Sequence, residues 1–157
     1  YFRNLCRCLE YTFLKSKWRR VKMDDSLRKV ETDKAPIPVG PYSQAVVAGD
    51  FVFLAGQIGQ DPMTGKLVSG GIRPETERTI DNIAAALNAI SRDLGSVCSV
   101  DVSLVNLEDL DLFNEVYATR FSGGAYPARR MREASKLTMG ASVEIGCTAY
   151  LGRTAPL

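Results

Sequence analysis

A chain of 157 residues, 45% hydrophobic and 24% charged, can bury one sizeable core and reads as a soluble globular domain with no membrane partner, since no run approaches the roughly 20 apolar residues of a span. The formal net charge of +2 is uneven: residues 1–22 carry seven basic residues against Glu10, and taking that +6 from the total leaves about −4 for residues 23–157, which argues against a broad nucleic-acid-binding face. Histidine is absent, which excludes Ser-His-Asp and Cys-His catalysis, histidine general bases and His-ligated metals.

The basic leader, residues 1–22, lacks the small-residue cleavage site of a secretory signal. Three readings stay open for it: sequence extraneous to the fold, an Arg-rich mitochondrial presequence, or a surface helix. Residues 23–157 are expected to form a single domain. Cys6 and Cys8 lie in the leader, Cys98 and Cys147 sit in apolar surroundings, and no CxxC pair exists. A reducing compartment is therefore expected, the cytoplasm or, if the leader is a presequence, the mitochondrion, with Cys98 and Cys147 as buried packing.

From Lys34 the segment KAPIPVGPYSQA is too rich in proline for a helix and predicts an extended entry that turns at Gly40-Pro41. Gln44–Ala48 and Phe51–Ala55, joined by Gly49-Asp50, predict a β-hairpin. Turn chemistry follows over residues 59–71. A helix is predicted from Arg73 to Leu94, with Pro74, Glu75 and Glu77 at its start and Gly95 at its exit. Its apolar stripe is Ile80, Ile83, Ala84, Leu87, Ile90 and Leu94.

A strand over Val97–Val105 and a shorter helix over Asp109–Phe121 come next, then a strand over Tyr126–Ser135 and a last one over Val143–Leu151. In that last strand Val143, Ile145, Cys147 and Ala149 share one face, while Glu144, Gly146, Thr148 and Tyr150 share the other. The order predicts an α+β domain, a mixed β-sheet with two helices packed on one face. Its other face needs a cover that the chain does not encode, and self-association is the simplest one.

Six pieces stand in this order: Gly40-Pro41-Tyr42-Ser43-Gln44-Ala45, Gly56-Gln57-Ile58-Gly59, Leu67 to Gly71, Asn114-Glu115-Val116-Tyr117, Pro127-Ala128-Arg129 and Val143-Glu144-Ile145. Together they resemble the RidA (YjgF-type) reactive intermediate deaminase family, also called endoribonuclease L-PSP, over nearly all of residues 34–151. The resemblance implies a chorismate-mutase-like fold, a homotrimer with active clefts between subunits, and cofactor-free hydrolysis of small 2-enamine and 2-imino acids to 2-oxo acids and ammonia.

It also implies roles for particular residues. Arg129 matches the family's substrate-binding arginine, and its planar fork suits a carboxylate. Glu144 matches the family's glutamate and would orient or deprotonate water without histidine. Tyr42, after Gly-Pro, would border the cleft, and Gly56 would either let backbone N–H groups approach a ligand or end a strand. Ala55 stands where many members carry serine, Met131 where some carry cysteine, and Gly146 where a second glutamate is frequent. Ala55 is read as lining the substrate cleft, and Met131 as a cleft-wall or packing residue. The stretch 107–114 is about three residues shorter than usual, which predicts a clipped second helix. Arg129, Arg130, Arg132 and Lys136 read as a basic cluster beside the site, which keeps RNA work and a noncatalytic carboxylate-binding trimer as alternatives.

Overall fold

The computed structural model describes residues 27–152 apart from 122 and 124. The leader, and with it the readings of residues 1–22, lies outside the described residues. The elements run β1 (Leu27–Val30), β2 (Ala45–Ala48), β3 (Phe51–Ile58), α1 (Ile72–Asn88), β4 (Val97–Leu104), α2 (Leu110–Arg120), β5 (Ala128–Glu133) and β6 (Val143–Tyr150). They form one six-stranded sheet in the order β1-β2-β3-β6-β4-β5, antiparallel throughout except for the parallel pair β4–β5. A parallel neighbour needs a crossover, and α2 supplies it between β4 and β5.

Alternation on the two central strands builds the core. Val100, Val102 and Leu104 of β4 and Val143, Ile145 and Cys147 of β6 are buried beneath Ile80, Ile83 and Leu87 of α1 and Phe113 of α2. Among the described residues the opposite sheet face carries no helix, and there Phe51, Phe53 and Tyr150 stand 41%, 51% and 44% exposed. The α+β architecture with both helices on one face is as the chain order predicts.

Several boundaries differ from the sequence expectation, each for a local reason. Helix α1 ends at Asn88 rather than Leu94 because Ser91 adopts a left-handed conformation (φ 57°), while Arg92 N–H donates to Leu87 O and Ser91 N–H to Asn88 O. That double bond is a Schellman stop with serine in glycine's usual place. Ile90 and Leu94 still pack against the core from the connection that follows. Strand β3 continues through Gly56 to Ile58, past the predicted end at Ala55, because β6 pairs with it across an irregularity between Leu54 and Gln57. Strand β1 was not expected. Cys98, read as buried packing, is exposed: a register shift between Val97 and Ser99 turns it outward, and its thiol donates to Thr148 O. Cys147 is buried as expected, and burial, helped by Cys98, pushes its thiol up to about 12.

Candidate active site

Gln44 prepares one wall of a cleft. Its buried side chain accepts from Thr32 N–H at 2.7 Å and donates to the carbonyls of Thr32, Ala35 and Pro36 at 2.9, 3.2 and 2.9 Å, so the amide pins the extended entry segment against the sheet. Fully bonded buried amides hold backbone in a unique place. The chain then turns at Gly40-Pro41, where Tyr42 N–H donates to Gly40 O, and the Tyr42 ring folds back over Gly40.

This wall closes a cleft of about 340 Å³ whose floor is the middle of β3 and the start of β6. Tyr42, Ala55, Gly56 and Glu144, four of the residues singled out from sequence, line it together with Thr138 and Met139. Gly56 does not end the strand, which runs on to Ile58. A Cβ at that position would lie 2.8 Å from the carboxyl carbon and Oε1 of Glu144, so the missing side chain is the space the carboxylate occupies. Glu144 has no ion-pair partner among the described residues.

Arg129 lies elsewhere in the same protomer. Its register partner on β4 is Val100, whereas Glu144 pairs with Ser103, which in turn pairs with Arg132. Three residue steps and two strand steps separate their backbones by roughly 14 Å. Val100 faces the helices, and so does Arg129: its guanidinium stands 4.9 Å from the Tyr117 ring centre and 5.7 Å from that of Phe113, and it donates to Asn114 Oδ1 at 2.9 Å. Glu144 alternates with buried Val143 and Ile145 and so faces the uncovered side. The expected pair Arg129 and Glu144 is therefore not assembled within one chain.

Arg129 lines a second cleft, of about 490 Å³, with Asn114, Tyr117, Tyr126 and Pro127. A cation over aromatic faces is attracted by the ring quadrupole and loses mobility. Tyr117 stays neutral beside it: burial, opposed by the charge of Arg129, pushes its phenol up to about 12. Arg129 has no carboxylate partner among the described residues, so donors remain available for a ligand anion.

The structure sharpens two sequence readings. Met131, read as a cleft-wall or packing residue, is partly buried against the core beside Val102. The basic cluster is split, since Arg130 and Arg132 face Asp101 on the uncovered side at 3.4 and 3.3 Å while Arg129 faces the helices. Sequence reasoning did not single out Gln44, Asn114 and Tyr117 as supports, although all three stand inside the motif pieces. Nothing local marks Met139.

A family model described as Endoribonuclease L-PSP matches residues 32–151. A RutC family protein of Pyrococcus horikoshii is 45% identical over 119 residues, 76% of this chain and 94% of that protein. A Mus musculus protein named 2-iminobutanoate/2-iminopropanoate deaminase is 38% identical over 131 residues, 83% of this chain and 96% of its own. Among solved structures, RidA from an Antarctic Psychrobacter superposes with a TM-score of 0.75 at 39% identity, covering 78% of this chain and 98% of that one. Escherichia coli TdcF with bound serine gives 0.76 at 30% identity, with 78% and 98% covered. With motifs, fold and relatives in agreement, the chain belongs to the Endoribonuclease L-PSP family, the RidA or YjgF-type proteins.

Proposed function

We propose that this protein hydrolyses 2-imino acids, formed by tautomerisation of 2-enamines such as 2-aminoacrylate, to 2-oxo acids and ammonia, in a homotrimer whose sites lie between subunits. The observation that carries this reading is the pair of half-sites: an unpaired carboxylate in one cleft and an unpaired guanidinium in another, on opposite faces of one sheet. A second copy is needed to bring Arg129 of one subunit to Glu144 of its neighbour.

In that shared cleft Arg129 holds the substrate carboxylate by two parallel hydrogen bonds. Glu144 takes a proton from water as the water oxygen bonds to the imine carbon and the C=N π pair moves to nitrogen, and it returns that proton to nitrogen to give the carbinolamine. Glu144 then takes the hydroxyl proton as the carbonyl forms and the C–N bond breaks, and passes it to the leaving nitrogen, which departs as ammonia. Tyr42 borders the reacting carbon. Absent histidine, the carboxylate is the base the site offers.

A coupled assay tests this: a dehydratase generates 2-aminoacrylate, semicarbazide traps the imine that remains, and the protein competes for it. Wild type is expected to suppress semicarbazone formation. Arg129→Ala, which removes a charge-assisted contact, is expected to lose about 10- to 100-fold in kcat/KM, and Glu144→Gln about 100-fold or more in kcat. If wild type leaves semicarbazone formation unchanged with every imine offered, the deaminase reading fails. Binding of a 2-oxo acid without turnover would then favour the carboxylate-binding trimer.

A further inference from the structure

The cleft around Tyr42 and Glu144 has two unlike ends. At one end the Glu144 carboxylate lies over Gly56. The rest of the wall is made by Pro36, Val39, Ala55, Ile58 and Met139. Two amides also line it, each with one N–H held by backbone: Gln57 Nε2 donates to Ala55 O at 3.3 Å, and Gln60 Nε2 donates to Gly65 O at 2.9 Å. Away from Glu144, the polar side-chain groups of the lining are the hydroxyls of Tyr42 and Thr138 and the amides of Gln57 and Gln60. Ala55 presents a methyl at the floor.

Met139 adds an independent observation. Its backbone is left-handed (φ 59°), a conformation unfavourable for a non-glycine residue that persists where surrounding structure or function demands it. Burial of its own side chain does not account for the strain, because Met139 is 51% exposed at the cleft mouth. A flexible thioether there can follow the outline of apolar groups of different shape. At about 340 Å³, the cleft matches the lower range of small-molecule sites and exceeds what a three-carbon acid fills.

We infer that this cleft selects 2-imino acids with an extended apolar side chain, of the size of those derived from leucine or methionine, over the three-carbon 2-iminopropanoate. The inference rests on the deaminase reading and specifies the substrate for it. The substrate carboxylate points toward the neighbour's Arg129, the imine carbon faces Glu144, and the side chain lies along Ala55, Val39 and Met139. Each methylene placed against such a wall is worth roughly 10-fold or more in discrimination.

The experiment uses the full chain, with imines generated in situ from L-leucine, L-methionine and L-alanine by an amino-acid oxidase and followed as semicarbazones. The expected kcat/KM for the leucine- and methionine-derived imines exceeds that for 2-iminopropanoate by about 10-fold or more. Met139→Ala is expected to shrink that ratio by about 5-fold, read as discrimination and not as total activity. If no imine is consumed, the deaminase reading itself falls, and this inference with it. If all are consumed and 2-iminopropanoate is as good a substrate as the leucine-derived imine, the deaminase reading stands and the selectivity is refuted. An unaltered ratio in Met139→Ala, in a variant that circular dichroism shows to be folded, refutes the assignment of the wall.

Discussion

A Cβ added at Gly56 would stand 2.8 Å from the Glu144 carboxyl group, and the atoms it meets are the far end of a flexible side chain rather than backbone. Alanine there can be accommodated by swinging the carboxylate away, which costs little stability but removes the base from its place over the cleft floor. Gly56→Ala is therefore expected to lower kcat by about 10- to 100-fold while the melting temperature moves by only a few degrees, checked by calorimetry beside the imine assay. A loss of stability without a loss of kcat would mean that the carboxylate's position does not matter. The identity of these site residues was legible in the motif pieces, and the reason for them was not. That Gly56 makes room for Glu144 depends on the register between β3 and β6, and that Arg129 sits on Tyr117 depends on which face of β5 meets α2. Neither relation has a local signature.

Gly59, three residues on, makes the contrasting case between elements. A Cβ there would lie 2.8 Å from the Glu75 Cα, so the helix backbone itself is in the way. This close approach lets the buried Glu75 carboxylate accept from the backbone N–H and the hydroxyl of Ser142 at 2.7 and 2.9 Å, tying the start of α1 to the entry of β6, while Asn82 donates to Ile58 and Gln60 carbonyls at the end of β3. Gly59→Ala must part helix from strand and is expected to destabilise by about 1–3 kcal/mol, measured as a lower denaturant midpoint at unchanged slope. A neutral result would show that α1 can shift without cost. At this scale most of the fold was readable, because the hairpin, the stripe on α1 and the alternation on β6 are periodic over short windows. What escaped was set by partners or by single residues: the four residues of β1, paired only with β2; the Schellman stop at Ser91; and the register shift that exposes Cys98.

For the molecule as a whole, the sheet face opposite the helices is the governing feature. Phe51 and Tyr150 lie with ring centres 5.3 Å apart on it, Phe53 stands 51% exposed beside them, and Asp101 with Arg130 and Arg132 adds a charged flank toward β5. An apolar sheet face that the described residues leave open calls for a second layer, and large exposed aromatic patches mark association surfaces. The proposed catalysis makes the same demand, since Arg129 and Glu144 reach opposite faces. Stability, assembly and activity should therefore be linked through this one surface. Light scattering at micromolar concentration is expected to give three times the chain mass. Phe53→Glu, which places a charge in the centre of the patch without touching either cleft, is expected to give monomers that retain the circular dichroism of the fold but lose imine hydrolysis by at least the 10- to 100-fold expected of Arg129→Ala. Arg129→Ala, by contrast, is expected to remain trimeric. A fully active monomer would refute the shared site, because a single chain would then have to bring a guanidinium through its own sheet to a carboxylate on the other side.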